Sequence, residues 1–74
     1  MPLITQEWLD DVFTYHAPEP DQIPKYEALR AAAKQFAEVI VANTPACADQ
    51  SAALRLVREA VMTANASVAL KGRV

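Results

Sequence analysis

The chain has few of the residues from which disulfides, metal sites and active sites are built. Its 74 residues include one cysteine, one histidine and one glycine. Cys47 cannot form a disulfide within the chain, and Cys and His are not clustered at the spacing of metal ligands. One glycine cannot build a phosphate-cradling loop, and no nucleophile stands at a defined spacing from a base. We therefore expect no metal, no cofactor and no enzymatic activity.

Targeting signals and a basic character are also missing. The first residues carry neither the positive region nor the long apolar run of a signal peptide. No stretch reaches the roughly 20 apolar residues that span a bilayer. The formal net charge of −2 disfavours binding to DNA or RNA, whose affinity grows with the phosphates that Lys and Arg neutralise. We expect a cytosolic protein without membrane contact, in which a few clustered cations can still bind a small phosphate ligand.

Hydrophobic residues, many of them alanine, make up 53% of the chain. With a single glycine, this composition predicts an all-α fold, as one domain over residues 1–74. A lone core of this size buries little apolar surface against the entropy of ordering the chain. Because neither a disulfide nor a metal is available, we expect a homo-oligomer to supply the missing stability. A monomeric three-helix bundle is the alternative.

Prolines divide the chain into a short N-terminal helix and two longer ones. The first is predicted from about Thr5, its N-cap, to Phe13. A stiff connector with Pro18 and Pro20 follows, because proline fixes its own φ and restricts the residue before it. The second helix is predicted from Asp21 as N-cap, with Pro24 tolerated in its first turn, to about Asn43 before Thr44-Pro45.

The third helix is predicted to begin between Ala48 and Ser51 and to end near Leu70, before Gly72. The short connection before it makes the two long helices an antiparallel hairpin. Each has an apolar stripe at helical spacing, formed by Ile23, Tyr26, Leu29, Ala33, Phe36 and Ile40, and by Leu54, Val57, Val61, Ala64 and Val68. The last helix has a second apolar set, formed by Leu56, Ala60, Met62, Ala66 and Ala69. Its apolar surface is therefore wider than one partner helix can cover, which implies a further contact with another copy of the chain. Asn65, polar among these residues, is expected to bond a partner in the oligomer interface or to touch a ligand.

Aromatic and basic residues near the first loop suggest a purine phosphate site. Tyr15 and His16 precede the proline connector, and Arg30 and Lys34 share one face of the second helix. An aromatic ring can stack on a base, while Arg and Lys bond phosphate oxygens. The structural alternatives are that Tyr15 covers the end of the bundle, that His16 is a solvated loop residue, and that Arg30 and Lys34 pair with Glu27 and Glu38.

Four sequence blocks, in order, resemble the phage anti-CBASS cyclic nucleotide sponge family. They are Phe13-Thr14-Tyr15-His16 with Pro18; Lys25-Tyr26-Glu27-Ala28-Leu29-Arg30 with Ala33-Lys34; Ser51-x-Ala53-Leu54; and Glu59-Ala60-Val61-Met62-x-Ala64-Asn65-Ala66. The helical hairpin is also similar to that of the phage sponges that act against Thoeris signalling.

The resemblance implies a phage-encoded helical hexamer that acts in the host cytoplasm. Its protomer interfaces would bind cyclic dinucleotides, such as cyclic GMP-AMP, and withhold them from immune effectors without cleavage. Tyr15 matches the family's base-stacking tyrosine, and Arg30 falls where the family carries a phosphate-contacting basic residue. Separate pockets of the family take cyclic trinucleotides. Here the sequence departs, because Leu70 and Ala32 stand where similar sequences have an arginine and a hydroxyl residue, and Thr63 replaces a bulky aromatic.

A second hypothesis is that the chain is a helical interaction module, which binds a host protein through the wide apolar face of the last helix. It predicts that changes at Tyr15 or Arg30 have little effect on partner capture.

Overall fold

A computed structural model describes residues 4–73, which form helices and no strand. The elements in this range are α1 (Gln6–Val12), α2 (Ile23–Asn43) and α3 (Ala48–Ala69). This confirms the predicted all-α class, with a short N-terminal helix before a helical hairpin. None of the helices in residues 4–73 is long and apolar enough to cross a bilayer.

Local chemistry sets most of the helix ends. The Thr5 hydroxyl accepts the backbone N–H of Trp8 at 3.1 Å, so Thr5 caps α1 as predicted. At the C-terminal end of α2, Thr44 adopts an extended conformation before Pro45, which stops the helix. Beyond α3, Lys71 and Gly72 are left-handed, with φ values of 53° and 77°. The predicted stop at Gly72 is therefore confirmed.

The predicted N-cap of α2, Asp21, is wrong. Gln22 takes that position, and its backbone C=O accepts the N–H groups of Lys25 and Tyr26 at 3.0 and 3.1 Å. Its side chain does not cap the helix. The amide oxygen accepts the backbone N–H of Glu19 at 2.9 Å, and the amide nitrogen donates to the Val68 carbonyl at 3.1 Å. One of these bonds is local and the other is tertiary, and together they hold Gln22 at the start of α2 in place of the better intrinsic capping residue beside it.

The two long helices form an antiparallel hairpin. The bond from Gln22 at the start of α2 to Val68 at the end of α3 fixes their relative direction. The predicted stripe of α3 lies against α2 and is half-buried throughout, whereas Ile23 and Phe36 of the α2 stripe remain exposed. Within residues 4–73, α1 packs along neither long helix, so the described chain is not a three-helix bundle.

Very little of this hairpin is buried. Within residues 4–73 only Leu70 and Gln22 are buried, each 5% exposed, and no described side chain is fully inaccessible. The chain exposes 5926 Å², whereas a folded monomer of its 8.1 kDa mass exposes about 4,500 Å². Its radius of gyration is 15.6 Å against about 11 Å for a compact domain of this length. The isolated chain is therefore elongated and has excess surface.

Candidate ligand-binding site

Tyr15 stands on the loop between α1 and α2 with 82% of its surface exposed. It does not cover the end of the hairpin, so that structural alternative does not describe this side chain. Pro18 and Pro20 follow it and restrict the backbone of the loop. An exposed ring on a restricted backbone is suited to stacking on a planar ligand, because little ordering entropy is lost on binding.

Local hydrogen bonds hold the residues beside Tyr15. The His16 ring nitrogen Nε2 lies 2.7 Å from the backbone carbonyl of Asp11, to which it donates when protonated at that position. On the other side, the Thr14 hydroxyl donates to the backbone carbonyl of Asp10. His16 is half-buried, so it is not the fully solvated loop residue of the alternative reading. Its contacts order the loop that carries Tyr15.

Two ion pairs join the segment that follows α3 to the end of α1 and to the loop with Tyr15. The Arg73 guanidinium donates from Nε to Asp11 Oδ2 at 2.9 Å and from its terminal nitrogen to Oδ1 at 2.8 Å. Lys71 Nζ lies 3.0 Å from Glu19 Oε1. The hydrogen bond from Arg73 lowers the pKa of Asp11 below its ordinary value, and the same bond raises the pKa of Arg73. The bond from Arg73 thereby favours the charged form of the Asp11 carboxylate.

A cleft of about 360 Å³ opens beside Tyr15. Tyr15 and His16 line one side of it, and Lys71 and Arg73 line another. The structure therefore brings two of the predicted site residues together and adds two cations that the sequence reasoning did not assign to the site. Lys71 lies in the left-handed turn at residues 71 and 72 and Arg73 directly after it, which explains how both reach the loop.

Arg30 and Lys34 line a different cleft, of about 520 Å³, between α2 and α3. Arg58 from α3 joins them there, and the lining residues include no carboxylate. Within residues 4–73 neither Arg30 nor Lys34 lies within ion-pair distance of a carboxylate, so the alternative pairs with Glu27 and Glu38 are not formed. This cationic cleft, lined by Arg30, Lys34 and Arg58, can receive an anion without first breaking an internal ion pair.

Arg58 was missed by the sequence reasoning, although the hairpin contained a signal for it. In the antiparallel hairpin Arg58 of α3 lines the same cleft as Lys34 of α2, so it extends the basic face of α2. Within one chain the four predicted site residues do not come together. Tyr15 and His16 line one cleft, and Arg30 and Lys34 line another. The binding roles of these four residues stay predictions.

An apolar groove of about 590 Å³ follows the other side of the hairpin. Its lining includes Leu29, Phe36 and Ile40 from α2, with Leu56 and Val61 from α3. Phe36 is 57% exposed and Leu56 61% exposed. Of the second apolar set predicted for the last helix, Leu56 and Ala60 line this groove, whereas Met62 lines the cationic cleft.

Among the described residues, one buried side-chain polar atom has no hydrogen-bond partner. The side-chain oxygen of Asn65 on α3 is inaccessible and accepts no hydrogen bond from any described residue. Leaving such an atom unpaired costs about 1–3 kcal/mol, so a donor from outside the described chain would stabilise it.

Cys47 is exposed, and residues 4–73 contain no group of three His, Cys, Asp or Glu side chains placed to hold a metal ion.

Comparison with known proteins gives one family. The family model described as Acb2/Tad1, hairpin domain, matches residues 9–69, which is most of the chain. No curated protein and no solved structure matches it. The matched span begins in α1 and ends with the last residue of α3, so it contains the hairpin and the loop with Tyr15. The chain therefore belongs to the Acb2/Tad1 hairpin-domain family of anti-CBASS and anti-Thoeris sponges, a membership that implies sponge-type binding of cyclic nucleotides.

Proposed function

We propose that this protein is a phage-encoded sponge that binds cyclic dinucleotides of bacterial immunity, such as cyclic GMP-AMP, in the host cytoplasm and withholds them from their effectors. It does not cleave them. The observation that carries the proposal is the pairing, within one sponge-family chain, of an exposed stacking residue, Tyr15, with a cationic cleft that lacks carboxylates. These are the two kinds of contact that a cyclic dinucleotide needs.

The ligand site is assembled from more than one copy of the chain. Tyr15 and His16 lie on one cleft of a protomer, while Arg30 and Lys34 lie on another. In a twofold interface the tyrosine loop of one copy meets the basic face of its partner, and the reverse contact forms at the same time. Two rings and two sets of cations then face one ligand with two bases and two phosphates. No separate cofactor is required.

The exposed surface supports an oligomer, which by family resemblance is a hexamer. The chain exposes roughly 1,400 Å² more than a compact monomer of its mass. A stable interface buries about 800 Å² on each partner, so the excess is enough for one or two such contacts. The apolar groove and the unpaired oxygen of Asn65 are the features expected of surfaces that another copy covers.

Calorimetry with a panel of cyclic dinucleotides tests the proposal. Stacking contributes about 1–3 kcal/mol per base, so Tyr15→Ala is expected to weaken binding roughly tenfold to a hundredfold, whereas Tyr15→Phe retains most of the affinity. Arg30→Ala removes charge-assisted bonds and is expected to weaken binding by a similar factor. Arg55→Ala is the matched control, because Arg55 is an exposed arginine of α3 that lines neither cleft. No binding by the unmodified protein across the panel would reject the proposal.

Sequestration without cleavage has its own test. The sequence offers no nucleophile at a defined spacing from a base, so we expect ligand recovered after long incubation and denaturation to be intact. Linear products in the recovered sample would show that the protein is a nuclease instead. Cyclic trinucleotides belong in the same panel as a further ligand class, and Leu70 and Ala32 predict weaker binding for them.

The apolar groove also favours a second candidate function, a helical module that binds a host protein. The two hypotheses differ at Tyr15, whose exposed ring lies outside the groove lining. A partner protein captured through the groove should be retained by Tyr15→Ala and lost by Leu56→Glu. Loss of nucleotide binding in Tyr15→Ala, with no partner captured by either form, favours the sponge.

A further inference from the structure

The segment after α3 turns back toward the loop that carries Tyr15. Lys71 and Gly72 are left-handed, and their N–H groups donate to Val68 and Ser67 at 3.2 and 3.0 Å. This cap reverses the chain direction within one turn of the helix end. Lys71 and Arg73 are thereby placed beside residues that are distant in sequence.

Lys71 and Arg73 bind acidic residues on either side of Tyr15. Arg73 bonds both oxygens of Asp11, four residues before the tyrosine, and Lys71 pairs with Glu19, four residues after it. Gln22 adds a third link, because its amide joins the Glu19 backbone N–H to the Val68 carbonyl at the end of α3. We call this set of contacts, formed by Asp11, Glu19, Gln22, Lys71 and Arg73, the loop clamp.

Other contacts do little to orient this part of the chain. In the described residues α1 packs along neither α2 nor α3, and a helix of 7 residues is marginal on its own. The bidentate bond between Arg73 and Asp11 fixes direction as well as distance, which a single Lys contact does not. The clamp therefore supplies directional hydrogen bonds and ion pairs between the Tyr15 loop and the hairpin.

We infer that Arg73, through Asp11, is a positioning residue of the ligand site, which holds the Tyr15 loop in the orientation that stacks on the nucleotide. The inference rests on the proposed function. Arg73 lies outside the span 9–69 that matches the family model, whereas Asp11 lies inside it. A ligand meets a loop that is already ordered, and the affinity is higher because less conformational entropy is lost on binding.

Direct contact between Arg73 and the ligand is the competing explanation, since Arg73 also lines the cleft beside Tyr15. The two explanations differ once the tyrosine ring is removed. A positioning residue has nothing left to position in Tyr15→Ala, so Arg73→Gln should then have almost no effect. A direct phosphate contact would continue to contribute in the same background.

The experiment is a double-variant cycle on the full chain, followed by calorimetry with the cyclic dinucleotide that the unmodified protein binds most tightly. An exposed ion pair of good geometry contributes a free energy at the upper end of the range for such pairs. Arg73→Gln and Asp11→Asn are therefore each expected to weaken binding about fivefold. Arg73→Lys should recover part of the loss. Arg55→Gln, the same change at an arginine outside both clefts, should leave affinity unchanged.

Amide hydrogen exchange supplies a readout that does not depend on the ligand. Arg73→Gln should speed exchange in the loop over residues 13–19 while the amides in the middle of α2 and α3 exchange as before. Equal affinity for the unmodified protein and Arg73→Gln would overturn the inference, as would an undiminished effect of Arg73→Gln in the Tyr15→Ala background. Failure of the unmodified protein to bind any cyclic dinucleotide would overturn the proposed function itself.

Discussion

Asp11 contacts two residues outside α1, Arg73 and His16, although it lies on the shortest of the described helices. Its carboxylate accepts two hydrogen bonds from Arg73, its backbone carbonyl lies 2.7 Å from the His16 ring, and one carboxylate oxygen lies 3.9 Å from the same ring. The hydrogen bond from Arg73 is the largest cause of the lowered pKa of Asp11. One side chain therefore couples α1, the Tyr15 loop and the segment after α3.

The lowered pKa predicts how acid affects the loop clamp. Because the folded-state pKa of Asp11 is below its unfolded value, the stability that the pair contributes is present above about pH 3.9 and is lost as the pH falls through the lower folded-state value. Trp8, the only tryptophan, lines a cleft with Asp11 and Arg73. Its fluorescence should therefore change during an acid titration as the pH falls below about 3.9, the ordinary value of an Asp carboxyl.

Asp11→Asn is the control for this titration, because the amide is similar in shape and does not ionise in this range. The transition assigned to the clamp should be missing in this variant, and its neutral-pH spectrum should resemble that of the unmodified protein at low pH. Identical acid titrations of the two proteins would show that the Trp8 signal reports another carboxylate.

At the scale of the helices, Gln22 is the link that closes the open end of the hairpin. Its buried amide satisfies a loop N–H and the Val68 carbonyl together. Gln22→Leu leaves the Glu19 N–H without this partner, and we expect it to lower the free energy of unfolding by about 1–3 kcal/mol. Urea denaturation at one fixed protein concentration measures the change.

Gln35→Leu is the matched control, since Gln35 is an exposed residue of α2 and makes no side-chain hydrogen bond to any described residue. It should change the free energy of unfolding by less than about 0.5 kcal/mol. An equal decrease in the free energy of unfolding in the two variants would mean that the side-chain hydrogen bonds of Gln22 contribute nothing to stability.

The sequence predicted those parts of the elements that local chemistry decides. The cap at Thr5, the break at Thr44-Pro45 and the left-handed stop at Gly72 each depend on residues a few positions apart. The same reasoning placed the Asp21 cap wrongly, since the choice of Gln22 depends on Val68, 46 residues away. Local propensity is overridden there by a tertiary bond.

The candidate site divides in the same way. Exposure of Tyr15 and a shared face for Arg30 and Lys34 follow from the loop and from helical spacing. The bond between Asp11 and Arg73 joins residues 62 positions apart and has no periodic signal. Sequence reasoning therefore found residues suited to ligand contact and missed those that hold the loop in place.

The whole molecule has more surface than a compact monomer, and part of the excess is the apolar groove. Leu56 lies in this groove with 61% of its surface exposed, so a polar substitution there spares the contact between α2 and α3. In a homo-oligomer Leu56→Glu buries an unpaired charge at the interface, which is unfavourable by several kcal/mol. We expect sedimentation velocity to show smaller species for this variant than for the unmodified protein.

Arg55→Glu introduces the same side chain one position earlier on α3, outside the lining of the apolar groove, and should leave the assembly intact. Thermal unfolding of the unmodified protein should also shift to higher temperature as protein concentration rises, because association stabilises only the folded state. Unchanged sedimentation of Leu56→Glu would show that the groove is not the subunit contact.

The central claim is that a tyrosine loop and a basic cleft from different copies close around one ligand. Native mass spectrometry of the protein with a cyclic dinucleotide tests it most directly, because the masses report the number of chains and ligands together. We predict an even-numbered oligomer, a hexamer by family resemblance, that carries one cyclic dinucleotide for every two chains. A monomer that binds one ligand by itself, or an oligomer that binds none, would contradict the shared site.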